Sequence, residues 1–542
     1  MMLAMMYVLL AALMGQVAGE LAAPERSYKI LMLLPVSTTS HKNFFMPLAE
    51  ALGDRGHKYS GYHLEKTRPG HHRQTFKKKR RNHHKVVMLT NDPKSSKHPN
   101  IYEIDHGFKI FGEENVFESR NDLTGSFSLF IVDLPPVAQN LYKIPKVKEL
   151  YENRKEFDLF IVDHAFNEVV YPFLHEATFI MVTTPGIDYR QSAVLGNVLH
   201  PGYIPNHMDD FPRPYSIWNR IYNTIYQIGF SIYWRNWAVL PLVQKEISAQ
   251  FPDLPPLLDI ERNLSLALVN THFSISLSMP LLPSQVEVGA LHCRPGNPLH
   301  QELESWISEA GSAGVIYFNL GSLASSGDIP VEYRNLFIQA FRRLPQRVIW
   351  KYEGELKNIS DNVMLTKWLP QQDILAHDNV KVFITHCGLL SLQESIYHAT
   401  PLLALPIFAD QPRNAMFVRN SELGHFLLWE ELTEDMIIDA LTDIITDPKY
   451  KENVSRMSML LRDQVTTSKE RAVFWTEYVI RHHGAPHLRS PAAQLSWVEF
   501  LMLDVILLLH LALFIIFFIL RRILKVLSAK IFRAHDNKKK KE

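Results

Sequence analysis

The chain is predicted to be an α/β protein of two Rossmann-like domains followed by one C-terminal transmembrane helix, and three observations carry that prediction. Short apolar, β-branched runs that read as strands alternate with helical stretches in two successive series, as parallel sheets with crossover helices require. With 542 residues, 46% of them hydrophobic, the chain can bury two domains of ordinary size. Phe500 to Leu520 is almost wholly apolar, and about twenty-one helical residues reach roughly 31 Å, enough to cross a bilayer.

The elements follow in order. Met1 to about Gly19 is an apolar run with small residues near Val17-Ala18-Gly19 and reads as a signal peptide, removed on export. A first domain over 26–280 begins with strands at Ile30 to Leu34, Val86 to Leu89, Leu159 to Val162 and Phe179 to Val182. A second, over 281–483, starts where prolines cluster near Met279 to Pro298 and opens on a strand from Val315 to Leu320. Arg471 to His482, aromatic and basic, is expected as a helix that packs back on the first domain. The span is assigned to 498–520, with Asp504 near its lumenal end and His510 neutral inside it. Arg521, Arg522, Lys525 and Lys538 to Lys541 make 521–542 a basic tail, which by the positive-inside rule is cytosolic and leaves the body lumenal, a type I topology. Asn263, Asn358 and Asn453 open glycosylation sequons that only a lumenal body could use.

The segment from Trp368 to Gln411 carries the chemistry. Lys381 to Thr385 reads as a buried strand that stops at His386-Cys387-Gly388, with a helix expected from about Ser391. Gly388 permits close backbone approach, and free N–H groups at that helix start would face an anion such as a diphosphate. His386 adds a donor, and Glu394 lies one turn on, where its carboxylate suits the vicinal hydroxyls of a ribose. Trp368 offers a flat face for a base, with Gln371 for polar contacts at its edge. Asp410-Gln411, after a strand from Leu402 to Leu405, supplies a carboxylate and an amide suited to sugar hydroxyls. Singly, a Trp is ordinarily core, a His a satisfied polar residue and Asp-Gln a solvated loop. The joint spacing at strand ends is what points to a nucleotide-sugar site.

This segment resembles the signature of UDP-glycosyltransferases, the family of animal UDP-glucuronosyltransferases and their plant counterparts. The resemblance extends to Phe318-Asn-Leu-Gly-Ser322, Leu266 to His272, Val286 to Gly289 and both termini, and Leu389 to Glu394 looks most like the insect branch. It implies a GT-B fold with the acceptor domain first, the donor domain second and a cleft between them. It also implies Ser322 as a donor contact, and Lys539 and Lys540 as a dilysine signal for retrieval to the endoplasmic reticulum. Two departures stand out: Leu390 where many relatives have Asn, so backbone groups or Ser391 must serve the phosphate, and Cys387 where animal relatives often have Gly.

The family's catalytic histidine matches His41, which follows the first strand by a Ser/Thr-rich loop and heads a predicted helix through Leu52. As a base it must be neutral, which suits an unperturbed pKa of about 6.5. Asp163 is the family match for the carboxylate that fixes its tautomer, as in hydrolase triads. A near copy of its strand, Phe127 to Asp133, makes Asp133 a rival, but Leu134-Pro-Pro breaks the context that relatives show. The implied reaction is an in-line displacement with inversion, the departing UDP stabilised by the helix N-terminus, His386 and Ser391.

Only Cys293 and Cys387 are present, so neither a disulfide framework nor a Cys-rich zinc site is expected, and histidine spacing gives no metal motif. No permanent cofactor and no metal is expected, only a UDP-sugar as donor substrate. The other expected partners are a small lipophilic acceptor and the membrane, with a homo-oligomer left open and nucleic acid excluded. Trp218, Ile221, Tyr222, Ile225 and Tyr226 recur at helical spacing, and core packing is the favoured reading over an acceptor pocket or a membrane contact. The insect-like signature inclines the donor to glucose over glucuronate. The segment 59–85 holds nine Lys or Arg, five His and one acid and reads as an insertion in a turn, with a retained intron or gene-model error as its favoured origin. If it displaces the loop carrying His41, the alternative is an impaired homologue that binds UDP-sugar or a lipophile without transfer.

Overall fold

The computed structural model describes Leu21 and residues 23–55, 85–92, 96–108, 115, 117, 125–206, 208–209, 211–322 and 324–539. The expected signal peptide, Lys540 of the dilysine signal and the basic segment except Lys85 lie outside these residues. Lys85 is the first residue of the second strand, in register with Lys29, so that strand starts one residue earlier than expected.

Two parallel sheets form the body. The first contains β1 (Lys29–Leu34), β2 (Lys85–Thr90), β3 (Ile101–Asp105), β4 (Leu159–Asp163), β5 (Phe179–Thr183), β6 (Leu266–Val269) and β7 (Gln285–Glu287), in the order β3-β2-β1-β4-β5-β6-β7. The second contains β8 (Val315–Asn319), β9 (Arg347–Lys351), β10 (Val363–Thr366), β11 (Val380–Thr385), β12 (Leu402–Ala404) and β13 (Gly424–Phe426), in the order β10-β9-β8-β11-β12-β13. Each order reverses once, at β1/β4 and at β8/β11. A crevice opens at the C-terminal strand ends at such a reversal, and that is where a ligand is taken.

The helices that place the site and the surface are α1 (Thr39–Asp54), α2 (Gly125–Asn140), α3 (Ile217–Ile232), α4 (Gln371–Leu375), α5 (Leu389–Tyr397), α6 (Gln411–Asn420), α7 (Ser468–Arg481), α8 (Trp497–Phe500) and α9 (Leu503–Lys539). Strands such as β4 and β5 are buried along their whole length, which explains their continuous apolar runs. Successive side chains serve opposite faces: Leu31, Leu33, Phe160 and Val162 fill one core, Ile30, Met32, Leu159 and Ile161 the other. Helix α7 adds Ala472, Val473, Val479 and Ile480 to the latter core, although it lies beyond the second sheet in sequence. A capping box of Thr467 and Glu470 starts it, and Arg55 holds its buried Glu477 through two bonds of 2.7 and 3.0 Å.

Three expectations are corrected. The near copy ending at Asp133 is part of α2 and not a strand, so Asp133 does not stand at a strand end. The helix expected from 498 starts later: Ser496 and Glu499 cap the separate turn α8, Met502 takes a left-handed φ of 50°, and α9 begins at Leu503 and continues past Leu520. The stripe on α3 is core only at Tyr226, which packs against the first core, while its other four residues are exposed. Trp218 is 75% and Ile225 66% exposed, whereas the polar Asn223 and Gln227 are buried.

Candidate functional site

The first half of the site forms at the β1/β4 reversal. β1 runs into α1, whose N-cap Thr38 accepts from the His41 backbone N–H, so the imidazole projects from the first turn. β4 pairs with β1 and ends on Asp163, which is fully buried. Adjacent strand ends thus bring together residues 122 apart in sequence: His41 Nδ1 lies 2.5 Å from Asp163 Oδ2. The other carboxylate oxygen accepts from the Ala165 N–H and, at 3.5 Å, from the Thr184 hydroxyl. With Asp163 ionised, the ring proton sits on Nδ1 and the Nε2 lone pair is left to accept another. Burial opposes a charge on His41, but the Asp163 carboxylate and the field of Asp410 prevail and raise its pKa. The unperturbed value assumed from sequence is therefore corrected upward.

The second half forms at the β8/β11 reversal, where two loops meet. His386 lies between two glycines: a Cβ on Gly321 would come within 2.6 Å of its Cε1, and one on Gly388 within 2.6 Å of its Nε2. Gly321 also has φ +90°. Gly321→Ala is expected to cost about 1 kcal/mol of backbone strain and to push the ring aside, weakening UDP binding about tenfold by calorimetry. Burial first, then the positive charge of Lys351, lowers the His386 pKa to about 4, so the ring is neutral at pH 7. Cys387, buried and with φ 65°, turns the chain into α5, whose N-cap is Gly388. α5 starts two residues earlier than expected and places Ser391 in its first turn. Ser322 is exposed in the turn after Gly321.

Glu394 is the best-organised group of this half. Gln371 Nε2 donates to its Oε2 at 2.6 Å and Gln372 Nε2 to its Oε1 at 3.2 Å. Burial raises its pKa to about 7 despite those two donors and Arg294. His292 stands 3.6 Å from the same carboxylate, but burial lowers its pKa to about 4, so the pair is not ionic at neutral pH. Gln371 is also engaged within the protein: its Oε1 accepts from Asn319 at 2.6 Å and Tyr317 at 3.2 Å, and its amide reaches Ser391 at 3.3 Å. Trp368, 71% exposed on the loop before α4, keeps its ring face open.

Asp410 precedes α6 and accepts from Asn414 at 2.7 Å, and its charge is felt at His41 in the first half. Gln411 is partly committed, since its Oε1 accepts from Ile407 and Phe408 N–H groups and braces that loop. Sequence reasoning missed Asn319, Gln372, Asn414 and Thr184. Asn319 ends β8 inside a run already singled out and could have been found by asking what stands at each strand end. The halves are tied at depth by Gln393 Nε2 donating to Asn270 Oδ1 at 2.9 Å, both fully buried. Among the described residues no group of three or more His, Cys, Asp or Glu is placed to hold a metal ion. Both cysteines are free.

A His–Asp pair thus stands at the reversal of the first sheet, and a neutral His, a helix N-terminus and a braced carboxylate at that of the second. A family model described as UDP-glucoronosyl and UDP-glucosyl transferase matches residues 145–541. The chain is 33% identical to the UDP-glycosyltransferase UGT5 of Dactylopius coccus over 493 residues, 89% of this chain and 88% of that one. It is 34% identical to UDP-glucuronosyltransferase 2B19 of Macaca fascicularis over 336 residues, 62% of each. Among solved structures it is similar to the calicheamicin glycosyltransferase CalG4, with a TM-score of 0.54 at 15% identity, over 85% of this chain and 100% of that one. With two Rossmann-like sheets facing a cleft and relatives of one kind along most of its length, the chain belongs to the UDP-glycosyltransferase family and is a GT-B glycosyltransferase whose donor is a UDP-sugar.

Proposed function

We propose that the chain is a membrane-bound, inverting enzyme that transfers a hexose, glucose or glucuronate, from its UDP-sugar to a hydroxyl of a small lipophilic acceptor, in conjugation or detoxification. The observation that carries this reading is the His41–Asp163 contact turned toward Asp410. In it, His41 Nε2 takes the acceptor proton as the acceptor oxygen attacks the anomeric carbon, and Asp163 stabilises the imidazolium that forms. The bond to UDP breaks on the opposite face. Charge developing on the diphosphate meets the N–H groups at the start of α5, with His386, Ser391 and Ser322 beside them. Trp368 stacks the base, Glu394 accepts from the ribose hydroxyls, and Asp410 with the Gln411 amide holds the sugar.

Helix α9 supplies the anchor: Leu503–Phe532 is long and apolar enough to cross a membrane. The basic residues after Leu520 orient it with the body in the lumen of the endoplasmic reticulum. The two relatives named above bear the general and the glucuronosyl name, and the insect-like run at Leu389 to Glu394 inclines the donor to glucose. The test is UDP release by microsomes expressing the chain, with UDP-glucose or UDP-glucuronate and a mixed phenol panel. Acceptor-dependent release with one sugar establishes transfer and names the donor. UDP binding without release would replace this reading with an impaired homologue.

A further inference from the structure

Helix α3 buries two polar residues beside Tyr226 and Phe230, which pack against the first core, and turns a separate apolar line outward. Its polar line is turned inward: Asn223 Nδ2 donates to the carbonyls of Pro201 and Ile204 at 2.6 and 2.7 Å, and Gln227 Nε2 to Ile204 at 3.0 Å. These bonds fix the helix about its axis. Its apolar line is therefore held outward, with Trp218, Ile221, Tyr222, Ile225, Ile228 and Ile232 between 42% and 75% exposed. From Trp218 to Ile232 this stripe runs for about 21 Å at 1.5 Å per residue, longer than the scattered apolar residues of an ordinary soluble surface. Arg220 is the single charge in the helix and no acid is present.

The surroundings say what covers this face. The loop that receives Asn223 and Gln227 continues back to Gly196, on which the turn Pro491–Gln494 is seated, since a Cβ on Gly196 would lie 2.7 Å from Ala493 N and 2.9 Å from Ala492 Cβ. Leu503 follows Ala493 by ten positions, so the start of α9 lies within about 35 Å of this seat on Gly196 even for a fully extended chain. Val198, Leu495, Trp497 and Val498, each 41–60% exposed, lie along the path between stripe and anchor. The stripe mixes aliphatic residues with Trp and Tyr, the composition favoured at the headgroup boundary.

We propose that the outward face of α3 lies in the interfacial layer of the same bilayer that α9 enters, making a second membrane contact from the first domain. The proposal rests on the anchored topology proposed above, and it gives that topology an orientation: the body lies against the lipid surface and does not stand off on its stalk. A lipophilic acceptor partitioned into the leaflet then meets the domain that carries His41 without first crossing water.

The test uses the full chain in phosphatidylcholine vesicles, labelled with a small thiol-reactive fluorophore at Ile225→Cys, with Val331→Cys on the second domain and Leu511→Cys in the anchor as separate references. Burial holds the native thiols of Cys293 and Cys387 protonated, and unsubstituted protein gives their blank. A lipid carrying a nitroxide near its headgroup is expected to quench the 225 label at least threefold more than the 331 label. Quenching at 225 no greater than at 331, with iodide reaching both, would overturn the proposal. A 225 label shielded from both quenchers would also overturn it, in favour of a second copy of the chain covering α3. The 511 label reports the anchor separately: if it escapes lipid quenching, the anchored topology fails, whereas a quenched 511 label beside an unquenched 225 label refutes the contact of α3 alone.

Discussion

His41→Ala is expected to lower kcat/KM by about a thousandfold or more with little change in UDP affinity, because it removes the group that accepts the acceptor proton and leaves the donor half intact. Asp163→Asn should cost a similar amount, since an amide in that position can accept from Nδ1–H but no longer stabilises the imidazolium. The double variant is expected to be little worse than either single one, as residues acting as a unit are not additive. Steady-state kinetics with UDP binding measured in parallel would check this. Losses that multiply in the double variant would show that the 2.5 Å contact is structural only.

The same pair sets a pH dependence whose sign follows from the raised pKa of His41. The imidazole must be neutral to accept a proton, so kcat/KM falls as pH drops through that raised value. Removing the Asp163 charge takes away what held the pKa up against burial. In Asp163→Asn the acidic limb is therefore expected at lower pH, beneath a much lower plateau. A limb that stays in place would assign the titration to another group.

The second large effect is expected at Glu394. Glu394→Gln leaves one amide facing the donors of Gln371 or Gln372 and removes the charge that two ribose hydroxyls would meet. Charge-assisted bonds of this kind are worth about 2–3 kcal/mol, so the KM for the UDP-sugar should rise roughly 30- to 150-fold with kcat nearly unchanged. Because burial raises the Glu394 pKa to about 7, UDP affinity should also weaken as pH falls below that value in the parent protein and not in the variant. A UDP analogue lacking both ribose hydroxyls supplies the control. Its affinity should be indifferent to the substitution, and equal losses for both ligands would place Glu394 away from the ribose.

The donor half was legible in sequence because it is nearly contiguous, with Trp368, His386 and Glu394 within one strand-loop-helix passage. Gln371 was recognised, but its commitment to Asn319 was not, because β8 lies fifty residues upstream and only sheet order brings it alongside β11. The raised pKa of His41 was invisible for the same reason, since burial and the opposed Asp410 belong to the assembled cleft. The outward turn of most of the α3 stripe escaped as well. A hydrophobic stripe states that a face will be covered, but not by what, and the carbonyls of Pro201 and Ile204 decided the rotation.

The pentapeptide Leu-Phe-Ile-Val-Asp shows the division most plainly. At 159–163 it is strand β4, wholly buried and ending on the carboxylate beside His41, whereas at 129–133 it is part of helix α2 with Val132 67% exposed. Identical local propensity yields opposite structures because pairing on both edges is available only between β1 and β5. Sequence alone determined what depends on composition, period and close spacing: two parallel α/β layers, an apolar C-terminal helix and a nucleotide-sugar signature. Tertiary structure decided which Asp meets His41, how Glu394 is braced and which way α3 faces. Each of these is a contact between segments far apart in the chain, whose energy does not exist until the sheets have formed.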